Sequence, residues 1–175
     1  YHPFSSSTTD YPRGLNRWKD SELRSWLNTD FYDYAFSQKE KKHILKRSLK
    51  TILSYQFKDM KEGGELPHLW FAMPAYAKEN YDNAFYETVE DKVSIAGIDE
   101  LTKFFEIYGT NIIKEDTNGH KSNYWLRTPY YSQNSMVRIL HTDGFVYHKD
   151  AHLQNIGIVP VIYIDTENLD TASLK

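Results

Sequence analysis

YWLRTP, Tyr124–Pro129, and NIGIVPVIYI, Asn155–Ile164, are the stretches that decide the fold. Between them two short alternating runs meet at Asp143-Gly144, so the last third of the chain reads as a compact β-meander with an aromatic anchor. With Asp143 and Gly144 as the central pair of a type I′ turn, Thr142 faces Phe145 and His141 faces Val146. One face of the hairpin then carries Arg138, Leu140, Thr142, Phe145, Tyr147 and Lys149. The other carries Val137, Ile139, His141, Val146, His148, Asp150 and His152. Val159–Ile164, rich in Val, Ile and Tyr, is expected to be the buried closing strand.

Working back toward the N-terminus, Gly97 followed by Glu100 opens a helix whose apolar face is Leu101, Phe104, Phe105 and Tyr108, and Gly109 is placed to end it. Val93–Ala96 is a brief apolar run, and Glu87, Glu90 and Asp91 before it read as a solvated acidic turn. Leu69–Met73 is a short strand candidate, and the Tyr/Asn-rich stretch 75–86 is loop by composition. Ser37 and Glu40 form a capping box from which a helix is expected to carry Ile44, Leu45 and Leu49 inward, with its lysines on a solvated face. Thr51–Phe57 alternates weakly and reads as a strand. Asp20 or Ser21 caps an earlier helix with Leu23, Trp26, Leu27, Phe31 and Tyr34 on one face. Residues 1–17 have no periodicity and read as an exposed, irregular lead-in; 166–175 is a polar tail.

The chain has 175 residues, which suits one domain and not two. Fourteen Tyr and four Trp make the aromatic content high, and Tyr combines a stacking face with a hydroxyl, as binding surfaces do. A formal charge of −3 leaves no basic footprint for nucleic acid. Without cysteine there are no disulfides, thiolate nucleophiles or zinc–thiolate sites. No apolar run approaches the roughly 18 residues of a membrane span, so the chain is expected to be soluble, with any secretion signal outside it.

The blocks WKDSELRSWLNTDFYDYAFSQKEKKHI, EDKVSIAGIDELTKFF, YWLRTP and NIGIVPVIYI, in this order, resemble a bacterial domain of unknown function found in cell-surface and phage-associated proteins of Gram-positive bacteria. Its pattern is W-x-x-S-x-L-R-x-W-L-N, a capped helix, D-K-V, a second helix, W-L-R-S-P and a closing G-V-R-P strand. The chain departs from that pattern in three places. Only 17 residues precede the first block, where the family has strands. Gly97 stands for the usual Ser, and Val159 for the usual Arg. The resemblance implies a C-type-lectin-like, formylglycine-generating-enzyme-like α+β fold: two to three helices on a small mixed, mainly antiparallel sheet with long loops. It implies an extracellular or cell-surface setting beside flanking domains, and a fold far more than an activity.

Candidate site residues follow from composition and register. Tyr130, Tyr131, Gln133 and Asn134, directly after YWLRTP, combine rigid aromatic area with adaptable amides, the chemistry of many sugar and protein-binding loops. Trp70 and the tyrosines from Tyr76 to Tyr86 are further aromatic candidates. Arg127 shares a face with Trp125 in an alternating strand, where it can stack on the indole, reach a carboxylate of the first helix or touch a ligand. In the expected register His141, His148 and Asp150 share a face, a possible two-His-one-carboxylate metal site. No nucleophile elbow, H-E-x-x-H, phosphate loop or dinucleotide fingerprint is present, and no cofactor is implied. The reading expected is a non-catalytic module binding a glycan or protein through aromatic loops. A metal-dependent hydrolase on the histidine face and a purely structural domain are the alternatives.

Overall fold

A computed structural model of the chain describes residues 2–53, 86–130 and 133–167. The architecture is α+β, with short helices and small antiparallel sheets. Ser21 caps α1 (Glu22–Trp26), its side chain accepting from Arg24 N–H. The helix widens through a π-turn at Leu27–Phe31 and continues as α2 (Tyr32–Ala35). That wide turn adds a residue to the repeat, so Leu23, Leu27 and Tyr32 point inward while Tyr34, expected on the core face, is 94% exposed.

The Ser37–Glu40 capping box forms, but α3 (Gln38–Lys41) is a single turn. The expected long helix does not follow. Ile44 instead bridges Ile164, and β1 (Arg47–Ile52) begins where helix was expected. A local cap starts a helix, whereas pairing decides how far it runs: β1 lies antiparallel to β2 (Tyr86–Asp91) and buries Leu49, Thr51 and Ile52. The acidic trio therefore sits on a strand rather than in a solvated turn. Arg17 donates to Glu87, Lys46 pairs with Glu90, and the buried Asp91 accepts from Trp18 Nε1 at 2.9 Å and Arg24 Nε at 2.7 Å. β3 (Val93–Ile95) leads to α4 (Ile98–Tyr108), which ends at Gly109, where φ is +55°. A small antiparallel ribbon follows, β4 (Lys114–Glu115) with β5 (Lys121–Ser122).

β6 (Tyr124–Pro129), β7 (Met136–Leu140) and β8 (Val146–Asp150) form the antiparallel sheet foreseen in the last third. β6 is buried along its whole length because each of its faces meets a separate core. Trp125 joins Val137 and Ile139 against Leu23, Leu27 and Tyr32 on one side; Leu126 joins Leu140 and Val146 against Leu101 on the other. Helices thus flank this sheet on both faces. β9 (Pro160–Ile162) closes the chain by pairing with β3, not as a fourth meander strand, and is only half-buried.

Two expectations fail here for physical reasons. The hairpin loop is Thr142-Asp143-Gly144, three residues, with Leu140 opposite Val146 and His141 N–H donating to Phe145 O. Gly144 takes φ +89°, a conformation that lets a three-residue loop close with a bulge. One extra loop residue slips the register by one and moves every side chain of β8 to the other face relative to β7. The lead-in is likewise not an exposed loop. Phe4 is fully buried between Trp18 and Trp125, at ring distances of 5.8 and 5.9 Å, and Asn16 is buried beneath the β6–β7 connection.

Candidate functional site

The slipped register separates the expected metal ligands. His148 lies opposite Arg138, while His141 lies on the other face, beside Asp143 and the Tyr147 ring. Asp150 accepts from Ser135 Oγ at 3.3 Å. Among the described residues no group of three His, Cys, Asp or Glu side chains is disposed to hold a metal ion.

Tyr130, directly after β6, is packed into the fold. Tyr130 is only 2% exposed, stacked on the His148 ring at 3.9 Å with the Arg138 guanidinium 4.8 Å from its centroid. Asn16 Nδ2 donates to the carbonyls of Tyr130, Gln133 and Met136, and Asn16 N–H to Asn134 O. Gln133 and Asn134 therefore hold the lead-in through their backbones, with the Gln133 side chain at the surface. Tyr131, Trp70, Tyr76 and Tyr81 lie outside the described residues.

Arg127 is placed differently from its expected partners. Its carboxylate comes from α4 and not from the first helix: Nη1 donates to Glu100 and, at 2.6 Å, to the Ile95 carbonyl. Glu100 in turn accepts from Gly97 N–H at 3.0 Å and from the Tyr163 hydroxyl at 2.7 Å. The residue spacing that starts α4 thus also fixes the arginine of β6 and a tyrosine beyond β9. Burial pushes the Glu100 carboxyl up, but the Arg127 charge and the hydrogen bonds from Arg127, Tyr163 and Gly97 prevail and hold it below its ordinary range. The same burial, with the adjacent Glu100 carboxylate, pushes the Tyr163 hydroxyl up to about 12.

This network floors a cleft of about 440 Å³. β1 supplies one wall through Arg47, Ser48, Leu49 and Lys50; Tyr86, Asp99 and Tyr163 complete it. Arg47 lies over the Tyr163 ring, 5.3 Å from its centroid, and Lys50 over the Tyr86 ring at 4.8 Å. Donors, acceptors and aromatic surface converge here, as they do in ligand sites. Of the candidate ligand-contact residues, Arg127 and Tyr86 belong to it. The whole lining comes from five separated segments, and the one local clue is the Gly97–Glu100 spacing, which signals a helix start and is silent about the carboxylate's further partners. A second, more apolar groove of about 370 Å³ runs between α4 and β9, past Phe104, Tyr108, Val159 and Val161.

Among the described residues no helix is long and apolar enough to cross a membrane. No curated protein and no solved structure matches the chain. Residues 5–166 match the family described as a domain of unknown function (DUF6273), and with nearly its whole length inside that match the chain belongs to this family.

Proposed function

We propose that this domain is a non-catalytic binding module with a C-type-lectin-like arrangement, and that its ligand is a glycan held in the cleft between β1 and the start of α4. The observation that carries the reading is the convergence of Arg127, Glu100, Tyr163 and Tyr86 on one open polar cavity. Sugars present hydroxyls that both donate and accept, together with apolar ring faces, and a wall of carboxylates, cations and tyrosines answers all three. Helices on both faces of a small antiparallel sheet support the lectin-like arrangement. Tyr130 serves the fold, since it is buried, and in this reading the cleft takes the role of ligand contact.

A glycan array probed with the purified domain tests this. Binding that weakens at least tenfold in Tyr86→Ala and Lys50→Ala, with melting temperature retained, supports it. Retention of every bound glycan by both variants places the site elsewhere, and an array with no bound glycan removes the reading.

A further inference from the structure

We propose that the outer edge of β9, with the apolar groove beside it, docks an extended peptide segment of a partner protein, one with apolar residues at alternate positions and an acidic residue at one end. The groove shares no lining residue with the polar cleft, so the two sites can be tested separately.

The edge is open because of how β9 pairs with β3, through Val93–Ile162, Ser94–Val161 and Ile95–Pro160. Pro160 has no N–H and cannot exchange hydrogen bonds with Ile95, so the alternation of an antiparallel ladder makes Ser94–Val161 the hydrogen-bonded pair. Val93 agrees, since its N–H and C=O are both taken by the Asn28 side chain. The inner row continues beyond β9, where Leu45 N–H donates to the Tyr163 carbonyl and Asp165 N–H to the His43 carbonyl. The Pro160 carbonyl and the N–H and C=O groups of Ile162 and Ile164 therefore point the other way, and among the described residues they meet no hydrogen-bond partner. An extended backbone is the partner whose own donors and acceptors repeat at that spacing. Folded proteins blunt such edges with charge or proline. Here proline removes one donor at the start, and the rest stays apolar, with Ile164 46% exposed.

The groove of about 370 Å³ runs along the same strand, with Val161 and Ile162 on one side and Phe104 and Tyr108 of α4 on the other. A strand added at the edge turns every second side chain toward the α4 face, where apolar ones fill this groove. Among the described residues that line it, Lys114 alone is charged. Its ammonium donates to the Asn111 carbonyl at 3.1 Å, which leaves further N–H donors for a ligand. A carboxylate on the partner answers that charge, and a cation in its place is repelled.

A random peptide library displayed on phage and selected on the purified domain tests this. Peptides with apolar residues at alternate positions and Asp or Glu at one end are expected to emerge. Resynthesised, they should bind about tenfold more weakly to Ile164→Pro, which removes one outward N–H and spares the inner row, and to Lys114→Glu, both with unchanged melting temperature. Methylating the peptide's own amide nitrogens requires no change in the domain. It should abolish binding at one set of alternate positions and spare it at the other. A selection without this pattern, equal binding to parent and both variants, or equal loss from both methylation sets overturns the proposal. Self-association of the parent that competes with the peptides and is lost in Ile164→Pro would also overturn it, giving the edge to a second copy of the chain.

Discussion

Arg127 lies directly across Gly97: a Cβ placed on Gly97 would meet Nη2 at 3.1 Å and Cζ at 3.2 Å. The absence of a side chain at the cap of α4 is therefore what lets the buried guanidinium reach Glu100 and the Ile95 carbonyl. Gly97→Ala should cost about 1–3 kcal/mol through this crowding. Chemical denaturation reads the loss, and a variant as stable as the parent would show that Arg127 has room to move.

Glu100 should make the domain acid-sensitive. Its folded-state carboxyl is depressed below the ordinary 4.5, so the stability it contributes is complete above that value and is lost as pH falls through the depressed one. Glu100→Gln is expected to be less stable at about pH 7 but to show a flatter decline toward about pH 3. Parallel urea midpoints at several pH values check this, and an identical slope in parent and variant would contradict it.

At the alkaline end the same pair reports through Tyr163. Burial and the neighbouring Glu100 push its hydroxyl to about 12, so its contribution is intact below the ordinary 10.0 and is lost as pH rises through the raised value. Ultraviolet titration of tyrosinate should contain a late step that disappears in Tyr163→Phe.

Asn28 ties the π-turn to β3. Its Nδ2 donates to the Arg24 and Val93 carbonyls at 3.0 and 2.8 Å, and its Oδ1 accepts from the backbone N–H groups of Lys92 and Val93. Asn28→Ala leaves these groups without their partner and should destabilise by about 2–3 kcal/mol. Asn28→Asp keeps the acceptor and turns a carboxylate toward two carbonyls, so it is expected to be no better. Melting temperatures of the pair decide it.

Phe4→Ala should cost about 3–5 kcal/mol, the range for emptying a buried aromatic site. Near-ultraviolet circular dichroism is expected to change with it, because Trp18 and Trp125 both lose a ring neighbour.

Local signals carried the parts of this fold whose causes are local. The Ser21 cap, the Gly97 and Gly109 ends of α4 and the pattern of Tyr124–Pro129 are each written within a few residues. What depended on distant partners was not legible. The Ser37 box says where a turn starts, while the antiparallel neighbour Tyr86–Asp91 decides that the chain after it is a strand. Asp143-Gly144 says turn without counting its residues, and a loop of three rather than two undoes the proposed histidine face. Tyr130 resembles a binding residue by type, and only Arg138 and His148, packed around its ring, make it core. The cleft is assembled from β1, β2, α4, β6 and the residue after β9, so no single stretch announces it.

The seating of the lead-in bears on how the chain is born. Asn16 bonds to a carbonyl 120 residues further on, and Ser5 N–H to the carbonyl of Ala151. A ribosome delivers the first segment long before either acceptor exists, and closing so wide a loop is slow. Phe4 can meet Trp18 early, but Trp125, the other wall of its pocket, is made much later, so that pocket is completed late. The contacts that seat Ser5 and Asn16 are therefore among those that form late as the domain folds.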